Sequence, residues 1–298
     1  MFSSATLMSL GLSVAACGVS NTKVATSTPP EGISKVQAIE GPVSFPESGV
    51  WDEEAQVWYV SSFGQAFDPT GGTADKSGFI SRLDARGRVL DARLVEGAGD
   101  FLGLAMMNGK LYASHGADIW EIDPSTGKHD VITVPGAGFL NDIAVGEGAL
   151  YITDTGAGAV HRYVPGKTPT VFSKDPALKA PNGIAVDNGQ VVVVTLGAFP
   201  PNPATPGSVL ALDDSGKATR LGKVSGLFDG VEVINGSYVV SDITGPLLRV
   251  DPNGDTRQLG DLKTLGLGSA NDFGVDPNTM TLMMGDLTSN KVWQVSLF

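Results

Sequence analysis

The chain has 298 residues and a formal net charge of −12. Phosphates would be repelled by so acidic a protein, which argues against nucleic acid as a partner. Charged residues make up only 17% of the chain, whereas it contains 39 glycines and 18 prolines. Few charges and many turn formers favour short strands joined by tight turns over long amphipathic helices. The acidity suits solubility outside the cell, or attraction of a cation if carboxylates converge.

The N-terminus predicts export. Residues 5–16 form an apolar run too short to span a bilayer and typical of the hydrophobic region of a signal peptide. The single cysteine, Cys17, follows Val14-Ala15-Ala16 and completes a sequence that resembles the bacterial lipoprotein box, so it is predicted to be lipidated. No Lys or Arg precedes the apolar run, and an ordinary signal peptide is the alternative. We expect a signal peptide over residues 1–17 and a polar linker over 18–34. The protein is then secreted, or a periplasmic or cell-surface lipoprotein that meets the membrane only through its lipid.

A hexapeptide pattern recurs six times along the remainder of the chain: a polar or acidic residue, a small residue, then mostly apolar positions. Its copies begin at residues 47, 102, 141, 182, 229 and 271, so the starts are 55, 39, 41, 47 and 42 residues apart. A four-stranded propeller blade requires this spacing. Each copy is followed by further strand-like segments, such as Gln190–Thr195 and Ser208–Leu212. The sequence therefore predicts an all-β, six-bladed propeller with four-stranded blades over residues 35–298.

The last blade and two long loops complete this prediction. The sixth repeat reaches Phe298 after three strands, and Lys35–Glu40 is predicted to supply the fourth and close the ring. Insertions at residues 64–78 and 198–207 separate the second and third strands of blades one and four. Such loops lie on the same face as the starts of the inner strands, so both are expected to overhang that face.

The first residues of the six hexapeptides occupy equivalent positions at the entrance of the innermost strands, closest to the axis. They are Glu47, Leu102, Asn141, Asn182, Asp229 and Asn271. Two carboxylates in a confined channel repel one another unless a cation compensates them. Carboxylate and amide oxygens, with no His or Cys among them, suit Ca²⁺ best, with Mg²⁺ or another divalent cation as the alternative. The competing interpretation, that Asn and Asp only cap turns, explains neither the glutamate nor the agreement of five blades.

Four motifs along the chain carry a family resemblance. They are Phe45-Pro46-Glu47-Ser48, Phe139-Leu140-Asn141-Asp142, Pro181-Asn182-Gly183 and Phe228-Asp229-Gly230. In this order and at blade spacing they resemble regucalcin (senescence marker protein) and the gluconolactonases, whose wider relatives include paraoxonase and diisopropylfluorophosphatase. The resemblance implies calcium or another divalent cation in the channel, bound by Glu47, Asn141, Asn182 and Asp229. In some relatives the residue matching Asn141 contacts substrate or metal-bound water instead. It also implies hydrolysis of lactones, with Asp229 as the catalytic base or nucleophile.

The departures from the family pattern bear on the substrate. Leu102 stands where sugar-lactone enzymes have a polar substrate contact, and no Arg or His lies near an inner-strand start. We therefore expect a metal-dependent hydrolase of the lactonase or esterase type, monomeric, acting on a small and fairly apolar or neutral molecule. Leu102, Asn271, Asp272 and Asp142 are candidates to touch the substrate or support the ligands. The alternative function is a non-catalytic, calcium-stabilised propeller that binds a ligand or partner on its loop-bearing face.

Overall fold

The computed structural model describes residues 28–41, 43–64 and 77–298. The predicted signal peptide with Cys17, most of the predicted linker and most of the blade-one insertion lie outside the described residues. Within the described ranges, no helix is long and apolar enough to cross a membrane. The helical content of those ranges is a single 3₁₀ turn at Leu262–Leu265.

Every other regular element in the described part of the chain is a β-strand. The first half of the chain contains β1 (Ile33–Ile39), β2 (Pro46–Asp52), β3 (Val57–Ser62), β4 (Gly78–Asp84), β5 (Val89–Ala98), β6 (Leu104–Met107), β7 (Lys110–His115), β8 (Asp118–Ile122), β9 (His129–Thr133), β10 (Leu140–Gly146), β11 (Ala149–Asp154) and β12 (Ala159–Tyr163). The second half contains β13 (Thr170–Ser173), β14 (Pro181–Asp187), β15 (Gln190–Thr195), β16 (Val209–Leu212), β17 (Ala218–Arg220), β18 (Phe228–Ile234), β19 (Ser237–Asp242), β20 (Pro246–Val250), β21 (Thr256–Asp261), β22 (Phe273–Asp276), β23 (Thr281–Asp286) and β24 (Lys291–Leu297).

These strands form six four-stranded antiparallel sheets, which confirms the predicted six-bladed propeller. Five blades use four consecutive strands, from β2–β5 to β18–β21. The sixth has the order β1-β24-β23-β22, so the N-terminal strand closes the ring by pairing with the C-terminal one, as predicted. This strand begins at Ile33, two residues before the expected Lys35, because Ile33 already pairs with Leu297.

The hydrophobic core lies between the blades. Six clusters of buried apolar side chains each combine residues from two neighbouring blades. In one of them, Val192 and Val194 of blade four pack against Val231 and Val240 of blade five. Second strands such as β15 are therefore buried on both faces, and their sequences are continuous apolar runs. Outermost strands such as β9 are largely exposed.

The innermost strands of blades one, three, four and five share an irregularity at their start. In blade three, Leu140 pairs with Asp154 but Ile143 pairs with Ile152, so two residues of β10 oppose one residue of β11. Equivalent shifts occur at the starts of β2, β14 and β18. Such a bulge changes the direction of side chains that would point to opposite faces of the sheet in a regular strand. Asn141 and Asp142 consequently both line the axial channel, on its two opposite ends.

Buried hydroxyl groups hold these bulges and join them to the next blade. The Thr153 hydroxyl accepts the backbone N–H of Asp142 at 2.9 Å and donates to the carbonyl of Asn182 in blade four. The Ser241 hydroxyl accepts the N–H of Gly230 at 2.8 Å and donates to the carbonyl of Asn271 at 2.9 Å. The inner strands are thus fixed relative to one another at their starts. The first residues of the six hexapeptides, called the ring residues below, project at this level.

The chain enters the propeller on the face opposite to this ring. The carbonyl of Thr28 accepts from Asn235, which lies in the turn where β18 ends and β19 begins. Glu31 forms ion pairs with Arg249 at 2.8 Å and with Arg257. Since inner strands start on one face and end on the other, residue 28 lies on the face opposite to the ring positions.

Replacing Thr153 by Val tests the role of the hydroxyl bridge. Valine keeps the shape but leaves the Asp142 N–H and the Asn182 carbonyl without that partner, so we expect a loss of about 2–4 kcal/mol in the free energy of unfolding. Urea unfolding measures it. The matched control, Thr170→Val on the exposed side of β13, should stay within about 0.5 kcal/mol. Equal effects of the two substitutions would contradict the proposed bridge.

Candidate metal centre

A cavity of about 390 Å³ opens on the face where the inner strands begin. Its polar lining comes from the ring positions together with Ser269 and Thr288, and its apolar lining comes mainly from loops that follow the second strands. The lining residues are Glu47, Phe63, Leu102, Phe139, Asn141, Asn182, Leu196, Phe199, Pro200, Pro201, Asp229, Ile243, Ser269, Asn271, Leu287 and Thr288. All six ring residues predicted from the hexapeptide repeat therefore meet in one cavity.

Three oxygen atoms in this cavity are buried without a hydrogen-bond donor. They are Oε2 of Glu47, Oδ1 of Asn141 and Oδ1 of Asn182. A buried acceptor left unpaired costs about 1–3 kcal/mol. All three residues line one cavity, so an electropositive partner bound there would have unpaired oxygens available to it.

Neighbouring groups orient the two asparagine amides. Nδ2 of Asn141 donates to the Thr155 hydroxyl at 3.1 Å, which leaves its Oδ1 for the cavity. The Asn182 side chain hydrogen-bonds the Asp229 carboxylate, and because only its NH₂ group can donate, its Oδ1 is also left over. Both amides thus present an oxygen beside the carboxylates of Glu47 and Asp229.

Asn271 has a different role from the other two amides. Its Oδ1 accepts the backbone N–H of Leu287 at 3.2 Å and the hydroxyl of Ser269 at 2.6 Å. Its Nδ2 therefore points to Asp229 and donates to Oδ2 at 2.9 Å. Asn271 positions the Asp229 carboxylate and offers no free oxygen to a cation.

Burial and mutual repulsion raise the pKa of both carboxyl groups in the cavity. Desolvation raises the pKa of Glu47 well above its ordinary value, and the carboxylates of Asp272, Asp229 and Asp142 raise it further. Desolvation, followed by repulsion from Asp272, raises the pKa of Asp229 to about 7, against the opposing hydrogen bonds of the two asparagines. Among the described residues that line the cavity there is no Lys, Arg or His. Neutralisation must come from protons or from a bound cation.

The donor set fits a hard divalent cation. Within the described residues no group of three or more His, Cys, Asp and Glu side chains is arranged to hold a metal ion. The ring instead combines two carboxylates with two amide oxygens, which is an all-oxygen set of the kind Ca²⁺ and Mg²⁺ bind and Zn²⁺ does not favour. The orphaned oxygens of Glu47, Asn141 and Asn182 are the atoms such an ion would satisfy.

Asp142 and Asp272 lie at the other end of the channel. They line a second cavity, of about 360 Å³, on the opposite face and do not line the first. Asp142 accepts the backbone N–H groups of Ile143 and Ile184 at 2.7 and 2.9 Å, and Asp272 accepts the Ser48 hydroxyl at 2.6 Å. Desolvation raises the pKa of both carboxyl groups, and repulsion from Asp272 raises that of Asp142 further. They therefore act on the first cavity through charge and do not reach a molecule bound there.

Glu232 is a channel carboxyl that the sequence prediction missed. It lines the second cavity, and desolvation with repulsion from Asp272 raises its pKa to about 8. The sequence could have indicated this residue, because Glu232 occupies the fourth position of its hexapeptide, where the other blades have Val, Ala or Gly.

The apolar wall of the first cavity includes Leu102, which is buried and faces the ring residues. Phe63, Leu196, Ile243 and Leu287 each follow directly after the second strand of their blade. The insertion of blade four does overhang this face, since its residues 199–201 line the cavity, and the corresponding insertion of blade one lies mostly outside the described residues.

The three histidines do not line this cavity. Nδ1 of His115 contacts the Asp100 carbonyl at 2.8 Å, and the buried His161 contacts Asp154 at 3.0 Å. His129 stacks on Trp120 on an outer strand. The cavity thus has no histidine base, and its carboxyl groups are the available proton acceptors.

Aspartates at the ends of second strands support the loops around the cavity, and the sequence prediction missed this role. Asp154 accepts the backbone N–H groups of Gly138 and Phe139 at 2.9 Å, which fixes the approach to β10. Asp286 does the same for Gly268 and Ser269 before β22. The repeated Asp at this position in blades three, five and six was the signal in the sequence.

No protein-family model matches the chain, and no curated protein matches its sequence. Solved structures resemble its fold. Virginiamycin B lyase from Staphylococcus aureus, as a catalytically inactive histidine-to-alanine variant with quinupristin, has a TM-score of 0.60 at 15% identity, over 89% of this chain and 99% of that chain. A protein of unknown function from Bacteroides thetaiotaomicron has a TM-score of 0.63 at 11% identity, over 88% and 76% of the two chains. A chain of the nidogen/laminin complex has 0.56 at 17% identity, over 72% and 88%. At these identities the likeness shows the propeller fold alone.

The raised pKa values predict how stability depends on pH in the presence of a chelator. The folded-state pKa values are about 6 for Asp272, 7 for Asp229 and 8 for Glu232, against ordinary values of 3.8, 3.8 and 4.5. The folded state therefore binds protons at these groups more tightly than the unfolded state does. Their contribution to the free energy of unfolding is fully present below about pH 4 and is lost as the pH rises through 6 to 8. We expect the chelated protein to melt at a higher temperature at pH 5 than at pH 8.

Calcium and one substitution serve as controls for this measurement. Calcium should restore stability at pH 8, because the cation replaces the lost protons. Asp229→Asn, which has no such carboxyl to ionise, should show a shallower loss between pH 5 and 8. A chelated wild-type protein that becomes more stable over this interval would contradict the electrostatic description of the channel.

Proposed function

We propose that this propeller is a divalent-cation-dependent hydrolase of the lactonase or esterase type, in which Glu47, Asn141, Asn182 and Asp229 hold the ion. Calcium is the preferred ion, with magnesium or another divalent cation as the alternative. The observation that carries the proposal is the set of three buried, donorless oxygens beside a carboxylate of raised pKa in one solvent-connected cavity. Perturbed carboxyl groups in such a cavity are typical of reacting sites.

When bound, the cation supplies Lewis acidity that polarises a carbonyl oxygen. The chain itself supplies the proton acceptor. The pKa of Asp229 is about 7 without a cation, and a bound cation would lower it, so that the carboxylate is ionised at neutral pH and can take a proton from water. Asn182 and Asn271 hold the Asp229 carboxylate in place. Asp229 would thus act as general base, or attack the carbonyl carbon directly as nucleophile.

The apolar wall restricts the substrate. A charged sugar acid would have no cationic partner among the described lining residues. A hydroxyl group facing Leu102 would lose its water without gaining a hydrogen bond, at a cost of about 1–3 kcal/mol. Small neutral lactones and esters with apolar substituents fit this cavity better than hydroxyl-rich lactones do.

We also propose that the protein works outside the cytoplasm as a monomer, with Cys17 as its lipid attachment point. The entry of residue 28 on the opposite face supports this arrangement, because an N-terminal tether would leave the cavity mouth unobstructed. Metabolic labelling with a palmitate analogue in a bacterial host, compared with Cys17→Ser, tests the attachment directly.

Two substitutions separate the roles of the carboxylates. Asp229→Asn keeps an oxygen but removes the proton acceptor, so we expect turnover of a neutral lactone to fall about 100-fold or more while calcium still binds. Glu47→Gln removes a charge that only the cation uses, so we expect weaker calcium affinity with activity recovered at high calcium. Hydrolysis of a lactone and aryl-ester panel, assayed against free calcium concentration, measures both effects.

The outcomes are distinct. If high calcium rescues both variants equally, Asp229 is only a ligand and the assigned base is wrong. If the wild-type protein hydrolyses no member of the panel yet binds calcium, the non-catalytic ligand-binding propeller replaces the hydrolase.

A further inference from the structure

Two phenylalanines from different blades form an aromatic pair at the cavity mouth. The ring centroids of Phe139 and Phe199 are 5.8 Å apart, and the ring planes differ by 26°. Phe139 lies immediately before β10 in blade three, and Phe199 lies in the insertion between β15 and β16 of blade four. Both side chains line the cavity that contains the ring residues.

The pair is held in place from both sides. The backbone N–H of Phe139 donates to the buried Asp154 carboxylate at 2.9 Å. The insertion is tied down at its two ends, where the N–H of Gly197 donates to the Lys179 carbonyl at 3.0 Å and that of Gly207 to the Gly226 carbonyl at 2.7 Å. Aromatic side chains on such a supported loop present a preformed surface, which lowers the entropic cost of binding.

Phe199 is not a core residue, since 38% of its side chain remains exposed. Its two successors, Pro200 and Pro201, also line the cavity and add apolar surface without a backbone donor. The exposed part of the pair therefore faces a space that is apolar on the side of blades three and four and carries the carboxylates at the axis. Asp229 and this surface line the same cavity, so a molecule bound there can contact both.

We propose that Phe139 and Phe199 form a specificity-determining platform that stacks a planar, aromatic substituent of the substrate. The inference rests on the proposed function and narrows its substrate class to aryl-substituted lactones and aryl esters. A flat ring gains offset stacking on the pair in addition to burial, whereas a saturated ring of similar size gains burial alone. Hydroxylated substituents gain less, because a phenyl side chain carries no hydrogen-bonding group.

Unreactive lactams test the platform separately from catalysis. A γ-lactam, its phenyl derivative and its cyclohexyl derivative are titrated calorimetrically into the calcium-loaded full chain. We expect the phenyl derivative to bind about 5- to 10-fold more tightly than the cyclohexyl derivative, as stacking on an aromatic pair allows. Phe199→Leu, which keeps apolar volume without a planar ring, should bring this ratio close to one while cyclohexyl binding persists.

Controls distinguish the possible failures. Leu265→Ala, an exposed apolar residue outside the cavity, should leave the phenyl-to-cyclohexyl ratio unchanged. Loss of both derivatives to the same extent in Phe199→Leu, or a wild-type ratio near one, would overturn the platform. If the ratio behaves as expected but no lactone or ester is hydrolysed, the platform stands and the proposed hydrolase fails. If lactones are hydrolysed without aryl preference, the proposed hydrolase stands and the platform fails.

Discussion

Within the described residues, five carboxyl side chains with raised pKa values line the axial channel of this propeller, and no basic side chain lines it with them. Glu47 and Asp229 face one end of the channel, and Asp142, Asp272 and Glu232 face the other. Among the described residues that line either end there is no Lys, Arg or His. Charged carboxylates buried so close together are unfavourable, so the channel must hold protons or a cation. Retention of protons corresponds to the raised pKa values, and the proposed cation on the donorless oxygens of the ring is the other solution.

This constraint organises the surrounding structure. Bulges occur at the starts of four inner strands, and in blades one and three they turn consecutive side chains to the two ends of the channel. Hydroxyls such as that of Thr153 fix the bulges, and aspartates such as Asp154 hold the loops above them. Hydrogen bonds thereby hold the end of the cavity that carries the carboxylates in place, whereas the wall above it is apolar. An enzyme that must polarise a neutral substrate needs this combination, because electrostatic effects strengthen where water is excluded. The fold itself does not decide the reaction, since propellers of similar shape serve unrelated functions.

The sequence predicted the fold well because one short pattern repeats in every blade. The positions of the inner and second strands follow from the hexapeptide and its spacing, and the closing strand follows from the three-stranded last repeat. The ring residues were found for the same reason, since equivalent positions in a propeller meet at the axis. The separation of Asp142 from Asn141 could not be predicted, because a bulge is a property of pairing that no residue type marks.

Features that depend on unique loops also escaped sequence analysis. The orientation of Asn271 is set by Leu287 and Ser269, which lie outside the repeat. The contact of Phe139 with Phe199 joins two loops that are separated by most of two blades in the sequence. Neither leaves a periodic signal. The chemical identity of the ring was thus predictable, whereas the direction of its hydrogen bonds and the shape of the wall above it required the structure.

Calorimetric titration of the metal-free full chain with calcium at pH 7.5 shows whether the ring residues bind a cation. We expect saturable binding of one ion that depends on Glu47, accompanied by proton release from carboxyl groups of raised pKa. We also expect stabilisation of about 2.7 kcal/mol when calcium is about 100-fold above its dissociation constant. No saturable binding of calcium or magnesium, together with identical melting curves with the cation and with chelator, would contradict the proposed cation site.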